Sequence, residues 1–426
     1  MKIFWNFFYD FLFLPIFYLI ISLGGIFNKK IREGIRGRNR LFEELILNVT
    51  TLDKTKKRIW FHSSSMGEFE QAKPIIEQLR KNPNLCIIVS FFSPSGYNNS
   101  KKYPYADLIT YIAFDTRTNA KKFLDILKPD LVVFMRYDIW PNHIWQLSNK
   151  KIPVFLVDAT MKKSSPRKLP LLKSFHKSLF KDITKILTVS KADADGFKSF
   201  GCSDEIVSVV GDTRFDRVYQ KSLSAKERNL IKSSVLDGKK VFVAGSTWEQ
   251  DEEVILPAFV KLAKFDKEVM MIIAPHEPTI LHLEKIENEF AGNLDTIRFS
   301  HLNNYSGERV IIVDSIGILL TLYTYADVAF IGGSFKQNVH NVLEAAVYGI
   351  PVIYGPKIEN SQEAANLIEH RGGMIISNKR EAYKIMRSLF SDGKLRQACG
   401  KNAYNYVQEN VGTTQKIINA LSKLKA

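Results

Sequence analysis

Cysteine is scarce in this sequence. The 426 residues hold three, Cys86, Cys202 and Cys399, widely separated. That excludes a disulfide-stapled scaffold and suits a reducing compartment. No Cys-x-x-Cys, His-x-His or His-Glu-x-x-His spacing occurs, so no metal is expected. RNP-like, KH-like and zinc patterns are missing, which argues against a nucleic-acid partner. There is no internal repeat and no low-complexity tract. Acidic side chains are in deficit, 44 against 60 basic ones, for a net charge of +16. Such an excess calls for an anionic partner, and with nucleic acid set aside a membrane surface or a phosphorylated lipid remains.

Long apolar runs are also missing, with one exception at the start. Phe11 to Phe27 is 17 residues without a charge, and aromatics precede it. This is the lower edge of a bilayer span. Pro15 and Gly24-Gly25 weaken it as a straight helix, and no small-x-small cleavage site marks it as a removable leader. A basic run, NKKIREGIRGRNR, follows. Residues 1–40 hold seven basic and two acidic side chains, a local net of +5. The basic side faces the cytoplasm by the positive-inside rule, and each basic group near anionic lipid adds roughly 1 kcal/mol. Residues 1–40 are therefore expected to be a membrane anchor, spanning or interfacial, with its basic juxtamembrane segment.

From about residue 55 strands alternate with helices. Strands are expected at Arg58–Ser64, Leu85–Ser93, Leu108–Phe114, Leu131–Met135, Val154–Val157, Ile186–Val189 and Val207–Val210, with a helix over Glu70–Lys81. A polar, Lys/Ser-rich stretch, Val210–Asp237, reads as a boundary. A second series follows at Val241–Ala244, Val269–Ile273, Val310–Val313, Val328–Ile331, Pro351–Tyr354 and Met374–Ile376, and helices close the chain from about Leu389. This alternation predicts α/β architecture, two doubly wound Rossmann-like domains facing across a cleft. Their expected bounds are 41–220 and 221–426.

Three stretches carry chemistry. In the second half, a strand runs into Gly332-Gly333-Ser334, His340-Asn341 opens a helix expected over Val342–Tyr348, and a further strand ends in Gly355-Pro356. Strand ends and a helix N-terminus converge there, as at ligand sites of open parallel sheets. Glu344, one turn in, can accept sugar hydroxyls. An ordinary βαβ unit with a glycine turn would share the glycines. In the first half, His62-Ser-Ser-Ser-Met-Gly67-Glu68 places a carboxylate at a helix start. It suits a general base or simply complements the helix dipole. Asp130 to Asn142 runs an apolar strand into Arg136-x-Asp138-x-Trp140-Pro141-Asn142, lining a cleft or making an Arg136–Asp138 salt bridge with Trp140 in the core. A basic cluster, Lys162, Lys163, Arg167, Lys168, Lys173 and Lys177, is interleaved with leucines and can meet lipid headgroups or phosphates, or be a solvated helix face.

Trp60-x-His62-x-Ser64-x-x-Gly67-Glu68, then Asp138-Ile-Trp140-Pro141-Asn142, then the His340-Asn341-x-x-Glu344 and Gly355-Pro356-x-x-x-Asn360-x-x-Glu363 spacing occur in order. Together with the N-terminal apolar segment they make the chain resemble the 3-deoxy-D-manno-oct-2-ulosonic acid (Kdo) transferases, from residue 1 to about 410. The resemblance implies a GT-B glycosyltransferase that is inverting and uses no metal or cofactor. CMP-Kdo would be the donor and a phosphorylated lipid A precursor the acceptor, at the cytoplasmic face of a bacterial inner membrane. It implies Glu68 as catalytic base. Donor-binding positions fall on Ser246, Thr247, His276, Gly333, Ser334, His340, Asn341, Glu344, Asn360 and Glu363. Acceptor-binding positions fall on Ser64, Gly67, Arg136 and Asp138, to which Lys162 and Lys163 of the basic cluster are added. The sequence departs from the family in five places. Trp248 stands for a histidine, Gln250 for a glycine, Pro275-His276 lacks an arginine, Arg136 replaces a glutamate, and Asn338-Val339 replaces Gly-Gly. His276 is one candidate to replace the missing arginine. Gly211 to Asp216 resembles a further family element, with Arg214 expected toward the donor. The alternatives are another sugar-nucleotide enzyme of the same fold, a UDP-sugar transferase or epimerase, and a basic membrane-surface binding protein.

Overall fold

The structure is a computed structural model and describes residues 2–162 and 164–423. The chain divides into two compact units, Met1–Arg217 with Gly412–Ala426, and Val218–Val411.

The first unit is built on seven parallel strands: β1 (Lys57–Ser63), β2 (Leu85–Phe91), β3 (Leu108–Tyr111), β4 (Leu131–Met135), β5 (Val154–Ala159), β6 (Lys185–Thr188) and β7 (Val207–Val209). Their order is β3-β2-β1-β4-β5-β6-β7. Every residue of β2 is buried, because helices cover both faces of such a sheet and its strands must be apolar throughout. Trp60, Ile88 and Phe134 pack on one face. Phe61, Val89 and Val133 pack on the other, with Phe69 and Ile76 of the helix Met66–Leu79. The second unit repeats the plan with β8 (Lys240–Thr247), β9 (Val269–Pro275), β10 (Thr296–Arg298), β11 (Val310–Ile312), β12 (Val328–Ile331), β13 (Val352–Tyr354) and β14 (Gly373–Ile375), ordered β10-β11-β9-β8-β12-β13-β14. The winding reverses between β1 and β4, and again between β8 and β12. Ligands of open α/β sheets bind outside the strand ends at such switch points.

Each expected strand is present, with ends displaced by up to three residues. β10, an edge strand with one buried side chain, is an addition. The two units divide after Arg217, inside the stretch Val210–Asp237 read as a boundary, and that stretch holds the helices Thr213–Lys226 and Ser233–Leu236. Phe215, Val218 and Ala225 are buried there, an inward stripe under a polar composition.

The N-terminal segment runs as a helix (Lys2–Phe8), a π-helical turn (Tyr9–Phe13) and a second helix (Leu14–Phe27). Pro15 falls in the first turn of that second helix, where its missing N–H costs little. Phe4–Phe27 is long and apolar enough to cross a membrane by length and composition. One side is nonetheless held by the first unit. Trp5, Tyr9 and Leu14 are buried. The Tyr9 hydroxyl donates to Asp115 at 2.8 Å, and the Asn142 amide donates to Asp10 at 2.7 Å. The helix Lys29–Arg36 then folds back so closely that a Cβ on Gly25 would stand 2.9 Å from the Ile35 Cδ1.

Arg38 corrects the reading of the basic run as a purely lipid-facing surface. It is 9% exposed. Its guanidinium donates to the carbonyls of Gly34 (2.7 Å), Phe92 (2.8 Å) and Ile112 (2.9 Å). It also lies 4.7–4.9 Å from the ring centroids of Phe92, Tyr111 and Phe114. Burial pushes its pKa down to about 10. Arg38→Ala should lower the stability of the first unit by about 3 kcal/mol, because several buried carbonyls lose their donor. Arg38→Lys should recover little, since an ammonium cannot reproduce the planar fork. Thermal unfolding of the two variants beside the parent checks this. Equal melting temperatures would contradict it.

Candidate active site

In the first unit the switch point is lined by the ends of β1 and β4. β1 delivers His62, which is fully buried. One ring nitrogen meets the Ser90 hydroxyl at 2.8 Å and the other the Asp138 carboxylate at 2.8 Å. Trp60 donates its indole N–H to the same Ser90 hydroxyl at 2.7 Å, and Trp140 donates to Asp138 at 3.3 Å. Trp60, His62, Asp138 and Trp140 thus form one hydrogen-bonded chain, the physical content of the sequence pattern that joins them.

Glu68 sits in the first turn of Met66–Leu79. Its carboxylate turns back to accept the Ser64 N–H at 2.6 Å, so the helix-start role is present. Burial, and then the charge of Asp138, raise its pKa above the ordinary carboxylate range, while the Ser64 N–H, His62 and Arg136 pull it down. A half-buried carboxylate crowded by a second one is suited to accepting a proton. Gly67 beside it is exposed.

Arg136 does not bridge to Asp138. Its Nε donates to the Gln71 side chain at 3.0 Å, and its charge reaches Asp158 and Asp212 as well as Glu68. Arg214 forms a forked ion pair with Asp212, 2.7 Å at the shortest. Asp158 is fully buried and accepts from the Thr213 N–H and hydroxyl. Burial and the neighbouring Asp212 raise its pKa. Lys162 is exposed; Lys163 lies outside the described residues.

In the second unit β8 and β12 end side by side. A Cβ on Gly332 would stand 2.2 Å from the Ser246 carbonyl oxygen, so only glycine lets the two backbones meet. Gly333 has φ +95°, the left-handed region that glycine enters freely. The organiser of this loop is Asp251, which sequence reasoning did not select. Its carboxylate accepts the N–H groups of Trp248 (2.9 Å), Gly333 (2.7 Å) and Phe335 (3.2 Å). Two glycine-loop donors are thereby already occupied by the protein. Ser334 is fully buried, and its hydroxyl accepts the Gly355 N–H at 2.6 Å. Thr247 donates its hydroxyl to Glu252 at 2.7 Å, and Glu252 meets His282 at 2.8 Å. Glu363 is buried and accepts from Ser361, while Asn360 is exposed.

The helix expected over Val342–Tyr348 is a single turn, Leu343–Ala346. Asn341 closes its start, accepting the Leu343 N–H at 3.2 Å and donating to Glu344 at 3.1 Å. Burial raises the Glu344 pKa. One turn carries little dipole, so it lacks the strong N-terminal anion site expected there. The cationic and aromatic corner lies elsewhere. His276 and His340 stack with centroids 4.5 Å apart, Trp248 lies 4.7 Å from His276, and its N–H donates to His340 at 3.2 Å. The Lys336 ammonium sits 3.3 Å above the Trp248 ring. Lys336 was missed because nothing in its local sequence places it over an indole 88 positions earlier. Arg136, Asp158 and Ser246 share a further feature: each is a non-glycine residue in the left-handed region, φ +61°, +51° and +53°. All three lie at or just after the ends of sheet strands, and such strain gathers at functional sites.

Among the described residues no three His, Cys, Asp or Glu side chains converge as a metal cage.

Residues 38–217 match the sequence family described as 3-Deoxy-D-manno-octulosonic-acid transferase (kdotransferase). The chain is 26% identical over 429 residues to the 3-deoxy-D-manno-octulosonic acid transferase of Haemophilus influenzae, covering 98% of each. It is 30% identical to that of Rickettsia typhi, over 85% of this chain and 77% of the relative. It is also 30% identical to a bifunctional glycosyltransferase/methyltransferase of Fusobacterium nucleatum, but spans only 53% of that relative's length. Among solved structures, the UDP-GlcNAc 2-epimerase from Neisseria meningitidis bound to UDP-GlcNAc aligns with a TM-score of 0.61 at 14% identity, over 86% of this chain and 100% of that one. At that identity the likeness carries the fold alone, which is of the GT-B type.

Proposed function

Because this chain belongs to the Kdo transferase family of lipopolysaccharide biosynthesis and is a glycosyltransferase, we propose that it moves Kdo from CMP-Kdo onto a phosphorylated lipid A precursor of the lipid IVA type. The observation that carries this reading is the Glu68 carboxylate at the β1 end, with its proton affinity raised by burial and by Asp138. Glu68 takes the proton of the acceptor hydroxyl as its oxygen bonds to the anomeric carbon. The bond from that carbon to the CMP phosphate breaks, and CMP leaves with the electron pair. Attack opposite the leaving group inverts the centre. No resident metal or cofactor enters these steps.

Ser64, Gly67, Arg136 and Asp138 border the acceptor, and the exposed Lys162 meets its phosphates. In the second unit Ser246, Thr247, His276 and His340 face the donor, and Lys336 supplies the positive charge that the missing family arginine would bring. Glu344 and Asn360 meet its hydroxyls. Gly333, Ser334, Asn341 and Glu363 hold the shape of that region, as their internal hydrogen bonds and backbone angles support.

The enzyme works at the cytoplasmic face of a bacterial inner membrane, where the outer side of residues 4–27 exposes Phe7, Phe11, Leu19, Ile20 and Phe27. The Asp115 and Asn142 bonds to its inner side favour a segment lying along the surface over one crossing it.

The test is transfer from CMP-Kdo, generated in situ, to a detergent-dispersed tetra-acylated precursor, read by mass spectrometry. A gain of one or more Kdo units is expected. No gain with folded protein, together with turnover of UDP-GlcNAc, would replace this reading with that of the epimerases whose fold the chain shares.

A further inference from the structure

The Asp138–Trp140 segment has a second side. Behind it lies a cavity of about 390 Å³, inside the first unit. Its walls are Phe13 and Phe17 of the N-terminal segment, Trp140, and Leu171, Leu172 and Phe175 of the helix Pro170–Phe180. Ring contacts fix these walls: Phe17 meets Trp140 edge-on at 6.2 Å, and Tyr9 stacks on Phe175 at 6.0 Å. Two charged side chains join the lining: Asp138, which also contacts His62, and Arg167, whose guanidinium lies 4.5 Å from the centre of the Tyr137 ring. The apolar side is bounded by the segment whose outer surface is itself apolar.

We propose that this cavity receives one acyl chain of the glycolipid acceptor. The inference rests on the transferase reading above. Four observations favour that occupant. The lining is aromatic and aliphatic, with no carboxylate but Asp138. Arg167 lies over the ring of Tyr137, the chain neighbour of Asp138, so the charged groups are set together against an otherwise largely apolar wall, as in the site of an amphiphile. An acceptor phosphate would complement Arg167. The size lies at the lower end of small-molecule sites, room for a chain and not for a whole glycolipid. A chain held here would place the attached sugar beside Asp138, and so near Glu68. The remaining chains would stay in the bilayer. Acceptor recognition would then read the lipid as well as its head, and an acyl-free sugar phosphate would be a poor substrate for a reason unrelated to membrane partition.

Two experiments on the full chain test this. The first compares acyl-free and short-chain acceptors kept monomeric in detergent-free buffer, so that each chain is transferred from water, with a detergent-dispersed tetra-acylated acceptor beside them. For short chains kcat/KM should rise roughly fourfold per added methylene, the factor that corresponds to burying one CH₂, with kcat nearly constant. Leu172→Trp, which fills the cavity, should compress that rise. Ile20→Trp, on the outer apolar side, should keep it. The second uses a tetra-acylated acceptor with a diazirine at one chain end. Photolysis with the parent protein should label the peptides that carry Phe13, Leu172 and Phe175. Equal kcat/KM for acyl-free and acylated acceptors would overturn the proposal and leave the transferase reading standing. So would an undiminished rise in Leu172→Trp, or label confined to outer-face residues such as Phe11 and Ile20. Transfer to no acceptor at all would remove the transferase reading, and this proposal with it.

Discussion

Glu68→Gln should reduce kcat by about a hundredfold to ten-thousandfold, the usual worth of a positioned general base. Glutamine keeps the shape and can still accept the Ser64 N–H, so folding and donor affinity should hold. The pH profile gives a sharper reading. A base must be ionised to act, so kcat/KM should rise with pH along a limb set by Glu68. Because burial and Asp138 raise that carboxyl, the limb should lie above the ordinary glutamate range. Asp138→Asn removes the repelling charge and should move the limb to lower pH. A limb at the ordinary value, unmoved in Asp138→Asn, would deny Glu68 the part of base, as would full activity in Glu68→Gln. Transfer assays across a pH series with the three proteins measure all of this.

Asp251→Ala should have the largest effect in the second unit. Three backbone N–H groups, from Trp248, Gly333 and Phe335, end on this one buried carboxylate. Alanine leaves them without an acceptor at a site closed to water, a loss on the order of 3 kcal/mol. The glycine loop that follows β12 would also loosen, and the KM for the donor should rise more than kcat falls. Asp251→Asn retains one acceptor oxygen and should fall between the two. Calorimetry resolves the stability change, and donor saturation curves resolve the kinetic one. An alanine variant with parental melting and parental KM would show the carboxylate to be dispensable.

Asp251 also illustrates what a sequence exposes and what it conceals. The alternation of apolar runs and helical spacing displayed nearly every strand, because a strand buried on both faces must be continuously apolar. The switch-point residues were visible for the same reason: small and polar residues just after such a run stand out. Glu68 and Asp138 were noticed in that way, and the resemblance to the family assigned them their roles. Asp251 was not selected, since two of its three partners lie more than 80 positions away in the chain. Arg38 was hidden among other basic residues, because composition cannot distinguish a guanidinium enclosed by three rings from one facing lipid. The helix Thr213–Lys226 was hidden inside the polar stretch read as a boundary, its few buried positions outnumbered by lysines and serines. The single turn at Leu343–Ala346 erred the other way. Its residues suit a longer helix, but Gly349 and the approach to β13 end it early.

The end of the chain returns to its beginning. Asp216 accepts the N–H groups of Gly412 and Thr414 at 2.6 and 2.5 Å, and the Thr414 hydroxyl at 2.6 Å. Ile417 and Leu421 of the helix Thr413–Ser422 are buried in the first unit's core. Domains commonly fold in the order in which they are synthesised. Here that order is broken, since the first unit receives its helix Thr413–Ser422 only after the whole second unit has been synthesised. The second unit, encoded between the two parts of the first, can complete its own sheet earlier. A nascent chain of this protein therefore carries an unfinished first unit beside a finished second one, and loss of the helix Thr413–Ser422 would damage the unit that was begun first.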